Sequence, residues 1–173
     1  MNKEQQQTLE TLQAAIQMEK DGKKYYQQLS KTGNNESGRK LFAALALEEN
    51  QHILNFETIY HDIEVKAEWP EVKVGPSQVG TSTGPFSQPV SGRTKSMDSE
   101  LKSVQKAMEM ENKTLDYYLT WAATTSYPIE KRFCEALAEQ ERTHHSLLLE
   151  YFEFLKDPAQ WFTLKEHQSM DGG

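Results

Sequence analysis

The sequence predicts an all-α protein, a four-helix bundle assembled from two repeated helical hairpins. Three observations carry this reading. Four long segments place apolar residues at 3-4 spacing, with turn-forming residues between them. One stretch rich in proline and glycine, residues 65–97, divides the four segments into two pairs. The two pairs align with each other in sequence without a gap.

The first segment runs from about Gln5 to Ser30 and breaks at Thr32-Gly33-Asn34-Asn35. Ser37 is placed to cap the second, which runs from about Ser37 to Ile63, so the first hairpin covers about 5–63. The third segment runs from about Asp98 to Ala123 and the fourth from about Pro128 to Lys156, a second hairpin over about 98–156. Pro128 suits a first helical turn, where its missing N–H costs nothing. Asp157-Pro158 ends the fourth helix and opens a tail, 157–173, that begins with a short helix.

Residues 65–97 hold four of the six prolines and four of the nine glycines and are not helical. An antiparallel connection needs only ~2–8 residues. A helix of ~27 residues is ~40 Å long, and this linker can run that whole length. It reads as a crossover that makes helices two and three parallel, as in some four-helix bundles. The 173 residues fit a single domain spanning 1–173.

Charge and composition exclude several functions. Nineteen Lys and Arg against 26 Asp and Glu give a net charge of −7, with no basic run beyond Lys23-Lys24. A nucleic-acid binder needs clustered cations, so no nucleic acid partner is expected. The one cysteine, Cys134, excludes an internal disulfide framework and any multi-cysteine zinc or iron–sulfur site. The start MNKEQQQ is too polar for an export signal, and no run approaches the ~18 apolar residues of a membrane span. The expectation is a cytoplasmic protein with no membrane partner.

The internal repeat has an offset of 92 residues. It sets Ala15-Ile16-Gln17-Met18-Glu19 over Ala107-Met108-Glu109-Met110-Glu111, and Tyr25-Tyr26 over Tyr117-Tyr118. It also pairs Leu45-Ala46 with Leu137-Ala138, Glu49 with Glu141, and His52 with His144.

Each apolar stripe is interrupted near its middle. Helix one reads Leu9, Leu12, Ile16, Glu19, Lys23, Tyr26, and helix two reads Phe42, Leu45, Glu49, His52, Phe56, Ile59. Helix three reads Leu101, Val104, Met108, Glu111, Leu115, Tyr118, and helix four reads Cys134, Leu137, Glu141, His144, Leu148, Tyr151. Four carboxylates at one level of a bundle repel one another, and a buried unpaired carboxylate costs several kcal/mol. Lys23 is the only cation on these stripes. Two divalent cations would neutralise the four, with the imidazoles as neutral nitrogen donors. One Glu from each of two helices plus Glu-x-x-His from each of the other two is the arrangement of ferritin-like dimetal carboxylate proteins.

The segments AIQMEKDGKKYY, ALEENQHILNFE, AMEMENKTLDYY and AEQERTHHSLLLE resemble the rubrerythrin family, and the resemblance spans the four helices. It implies a ferritin-like fold with Glu19 and Glu111 as terminal metal ligands. Glu49 and Glu141 would bridge the metals, and His52 and His144 would each bind one. It further implies two iron ions, with manganese possible on the same ligands, and reduction of hydrogen peroxide or dioxygen, or ferrous oxidation. The alternative is a non-catalytic protein that binds, stores or senses iron at the same site.

The chain departs from the family in two ways. It has no CxxC pair of a rubredoxin-like module, so electrons would come from a separate donor such as rubredoxin or a flavoprotein. Thr114 stands where many members carry an extra carboxylate. Tyr26 and Tyr118, two helical turns beyond Glu19 and Glu111, are candidates to hydrogen-bond a ligand or relay an electron, or simply core aromatics. His61, His145 and His167 read as surface or interface residues, and Glu48 and Glu109 as solvated neighbours of the stripe. Gly22 either makes room near the site or is tolerated slack. Cys134 reads as a small core hydrophobe. Trp69, Trp121 and Trp161 read as anchors for the linker and tail, or as part of a dimer contact. A homodimer is expected, and the long linker leaves room for hairpins to exchange between two chains.

Overall fold

The computed structural model describes residues 3–80, 86 and 95–163. Helix α1 spans Lys3–Thr32, α2 Glu36–Lys66, α3 Lys95–Thr124 and α4 Pro128–Lys156. A short α5 follows at 158–163, where Asp157 Oδ1 accepts from the Gln160 N–H at 3.0 Å. The described residues contain no strand. Positions 81–85 and 87–94 of the linker, and 164–173 of the tail with His167, lie outside the described residues.

Several helix ends differ from the sequence expectation, and α1 runs two residues further at each end than the expected Gln5 to Ser30. Asn35, not Ser37, caps α2: its side chain accepts from the Ser37 N–H at 2.8 Å, which leaves Ser37 inside the first turn. Helix α2 continues to Lys66; the Ala67 N–H still reaches the Ile63 carbonyl, and Ala67 itself adopts a left-handed φ of 57° that turns the chain out of the helix. Helix α3 starts at Lys95 rather than Asp98.

Side-chain ties define the topology. Gln5 at the start of α1 reaches the Ala67 carbonyl beyond the end of α2, so these helices are antiparallel. The Tyr25 hydroxyl donates to the Ser103 carbonyl at 3.1 Å, and the Tyr117 hydroxyl donates to the Thr11 carbonyl at 2.9 Å. Thr11 and Ser103 are 92 apart, as are Tyr25 and Tyr117, so the sequence repeat is a spatial pseudo-two-fold. The same ties make α3 antiparallel to α1, hence parallel to α2, as the crossover requires.

The described part of the linker lies along α4. Trp69 packs edge-on against Phe133 at 5.8 Å between ring centres, the Gly75 carbonyl meets Gln140, and Phe86 stacks on Phe154 at 5.3 Å. Trp161 of α5 then packs against both Phe86 and Phe154. Trp69 and Trp161 thus anchor linker and tail to the bundle.

Two apolar layers fill the interior. One contains Leu12, Phe56, Ile59, Tyr118, Cys134 and Leu137; the other contains Tyr26, Phe42, Leu45, Leu148, Tyr151 and Phe154. Each such buried side chain contributes about 1.5–3 kcal/mol. The start of α2 presses so closely on α4 that a Cβ at Gly38 would overlap the Tyr151 hydroxyl, which donates to Glu100 at 2.6 Å. Along α2 and α4 the two layers are separated by Glu49, His52, Glu141 and His144. No helix among the described residues is long and apolar enough to cross a membrane.

Candidate metal centre

Glu19 on α1, Glu49 and His52 on α2, Glu111 on α3, and Glu141 and His144 on α4 converge between the apolar layers. None exposes more than 3% of its surface, so water cannot solvate their charges. His52 Nδ1 lies 3.2 Å from Glu19, 3.3 Å from Glu49 and 3.4 Å from Glu141. His144 Nδ1 lies 3.4 Å from Glu49 and 3.7 Å from both Glu111 and Glu141. Ligand-type atoms fall into two overlapping groups, each within 4.8 Å: Glu19, Glu49, His52 and Glu141, and Glu49, Glu111, Glu141 and His144. Glu49 and Glu141 belong to both.

The local helix register produces this geometry. Glu and His three residues apart share one helix face. Ala15 and Ala107, one turn before Glu19 and Glu111, are buried in the two flanking apolar layers. Lys23, expected on the inward stripe, is only partly buried and donates to Asn50 at 2.7 Å, because the buried face of α1 runs through Ala15, Glu19, Gly22 and Tyr26. Gly22 is not a steric requirement, since a Cβ there would sit at an ordinary 3.9 Å from Glu49.

Electrostatics show a cluster that attracts cations. Burial, reinforced by Glu49, pushes the Glu19 carboxyl up to about 8. Burial and the nearby Glu111 and Glu49 hold Glu141 well above the usual carboxylate range. Burial disfavours charge on the two imidazoles, but the carboxylates around them outweigh it and hold both His52 and His144 protonated well above the usual histidine range. Four groups therefore bind protons where divalent cations would supply the same positive charge. Among the described residues, two buried side-chain atoms nonetheless make no hydrogen bond, Glu141 Oε1 and His144 Nδ1. An oxygen and a nitrogen aimed into one buried carboxylate cluster suit a metal, because each can give a lone pair once a cation displaces the proton held there. The residues fit a pair of divalent ions.

Both imidazoles are braced on their far side. His144 Nε2 donates to Glu48 Oε2 at 2.8 Å, and the other Glu48 oxygen accepts from the Gln78 N–H at 2.6 Å. His52 Nε2 donates to Gln140 Oε1, whose amide nitrogen donates to the Gly75 carbonyl. Glu48 is therefore not solvated as expected but turned under the linker. Partial burial opposes its charge, yet hydrogen bonds from His144, Gln78 and Ser77 hold its carboxyl below the usual range. Sequence reading missed this pair, although the 92-residue offset sets Glu48 over Gln140, each one position before a shared glutamate.

The two tyrosines are fully buried and cross between hairpins. Tyr26 donates to Glu111 Oε1, and Tyr118 donates to Glu19 Oε1. Burial first, then the adjacent carboxylates, hold both phenols well above their usual range, so they stay protonated donors. Thr114 turns its hydroxyl back onto the Met110 carbonyl at 3.1 Å. Glu109 is exposed and His145 partly buried, and neither joins the cluster. Cys134 is buried within the apolar layer, with burial pushing its thiol well above the usual range.

Comparison with known proteins places this arrangement. No curated protein matches the sequence significantly. The solved structure of a hypothetical protein from Pyrococcus furiosus superposes with a TM-score of 0.66 at 24% identity, covering 86% of this chain and 90% of that one, and so shares the fold. The sequence model of the family described as Rubrerythrin matches residues 10–152, from the first turns of α1 to the last of α4, and the chain belongs to the rubrerythrin family.

Proposed function

We propose that the six buried residues hold two iron ions and that the protein is a diiron oxidoreductase reducing hydrogen peroxide or dioxygen, as a peroxidase or ferroxidase. One observation carries the reading: two four-residue groups share Glu49 and Glu141, and each contains one histidine. Glu19 and His52 would complete one position, Glu111 and His144 the other. Manganese suits the same carboxylate-rich donors.

When bound, a ferrous pair supplies the two electrons that, with two protons, convert hydrogen peroxide to two waters. The remaining work falls to the protein. Carboxylate oxygens are hard donors that suit both oxidation states of the metal. Tyr118 and Tyr26 hold Glu19 and Glu111 in orientation, each keeping a proton on its phenol oxygen beside a ligand carboxylate. The aromatic layers on either side keep bulk water from the charged level, which strengthens every electrostatic contact inside it. The single cysteine cannot build a rubredoxin-type site, so electrons come from a separate donor such as rubredoxin or a flavoprotein.

Thr114 favours a second reading, a protein that binds or stores iron without turnover. Its hydroxyl is committed to its own helix and adds no carboxylate to the site. Anaerobic loading with Fe(II), followed by peroxide and an electron donor, separates the readings. The enzyme reading expects about two irons per chain and repeated peroxide consumption. One stoichiometric oxidation without turnover supports the storage reading, and failure to bind iron refutes both.

A further inference from the structure

The braces behind the two histidines are related by the repeat but differ in chemistry. Glu48 and Gln140 occupy equivalent positions 92 residues apart, and each reaches across to the histidine of the other hairpin. At His144 the acceptor is a carboxylate, and at His52 it is a carboxamide. The linker fixes both. Its Gln78 N–H takes one oxygen of Glu48 and leaves the other for His144. Its Gly75 carbonyl takes the amide nitrogen of Gln140, which orients the amide oxygen toward His52. In both cases the partner of Nε2 is an acceptor, so Nε2 keeps its hydrogen, and Nδ1, facing the cluster, is the nitrogen that gives up its proton to take a cation.

We propose that Glu48 and Gln140 are positioning residues that make the two metal positions unequal, with the position at His144 the tighter. The inference rests on the dimetal reading above. A carboxylate acceptor raises the basicity of a metal-bound imidazole more than a neutral amide does, and removing such a partner typically lowers metal affinity about 10–100-fold. The rest of the donor set does not create this difference. Glu49 and Glu141 serve both positions, Glu19 and Glu111 are the same residue type, and each of those two accepts from one tyrosine. The inequality therefore traces to one charged oxygen at a place where the repeat is broken.

Anaerobic calorimetric titration of the metal-free full chain with Co(II) alone tests this, comparing the wild type with Glu48→Gln and Gln140→Glu. The wild type is expected to bind two ions in two resolved steps. Glu48→Gln should weaken the tighter step about tenfold and leave the other nearly unchanged, bringing the two together. Gln140→Glu should narrow the same gap from the other side by strengthening the weaker step. A purely structural role would lower both affinities in parallel and preserve their ratio. Step ratios equal to wild type in both variants overturn the inference while leaving the dimetal site standing, whereas a wild type that binds no cobalt overturns the site itself. Should Glu48→Gln fail to fold, Gln140→Glu decides alone, because a gap it leaves unchanged refutes the proposal.

Discussion

Replacing Glu141 with glutamine separates a metal centre from a structural polar cluster. Glu141 belongs to both four-residue groups, and its Oε1 is buried with no hydrogen-bond partner. In the metal-free protein its carboxyl already favours the neutral form, so a neutral amide of the same shape should change stability by no more than about 1 kcal/mol. With metal the expectation reverses. An ion that binds only the folded state stabilises it by about 2.7 kcal/mol at a hundredfold excess over its Kd. For a chain of this length each kcal/mol moves Tm by about 2–4 °C, so one filled position raises Tm by roughly 5–10 °C and two by about twice that. The variant loses an anionic oxygen from both positions and should keep only a small part of the rise. Thermal melts followed by circular dichroism, with and without excess Mn(II), measure all four quantities. The reasoning fails if wild-type Tm does not respond to metal, if Glu141→Gln keeps the full rise, or if the metal-free variant is destabilised by several kcal/mol.

Further expectations follow from the same geometry. Tyr26→Phe and Tyr118→Phe each leave a buried carboxylate oxygen without its donor, and each should cost about 1–3 kcal/mol in urea unfolding. Because the two are repeat equivalents their losses should match, and a loss below about 0.5 kcal/mol would show that the hydroxyl is not needed there. Gly38→Ala forces a methyl group into the Tyr151 hydroxyl and should cost about 1–3 kcal/mol as overpacking; a neutral result would mean that α2 and α4 separate easily. Burial, then Glu130 and Glu135, raise the Cys134 thiol, while burial and Glu100 raise the Tyr151 phenol. Both groups bind their protons more tightly when folded, so their contribution is complete below the unfolded pKa values, about 8.5 and 10, and is lost as pH rises beyond them. Stability should therefore decline in two stages above about pH 8.5, and Cys134 should resist iodoacetamide at pH 8 until the chain is unfolded. Rapid alkylation of the native protein would contradict the burial.

Much of this molecule was legible in one dimension because helical periodicity is local. The 3-4 spacing located all four helices, and the interruptions at Glu19, Glu49, Glu111 and Glu141 marked a charged level that an apolar core does not tolerate. The unbroken 92-residue repeat implied two related hairpins, and the Tyr25–Ser103 and Tyr117–Thr11 ties show that symmetry in space. Helix ends were less legible, since whether Asn35 or Ser37 caps α2 depends on the backbone angles at one residue.

What only the tertiary structure decided is everything that depends on contacts between elements distant in sequence. Lys23 sits on the rim rather than inside because the axial rotation of α1 is set by packing, not by its own pattern. Each tyrosine serves the carboxylate of the opposite hairpin, which no spacing within one helix reveals. Glu48 looked like surface from its helix position and became a brace for His144 once the linker folded over it. Periodicity assigns a residue to a face, but the partner across that face is chosen by how the helices and the linker close around the buried charge.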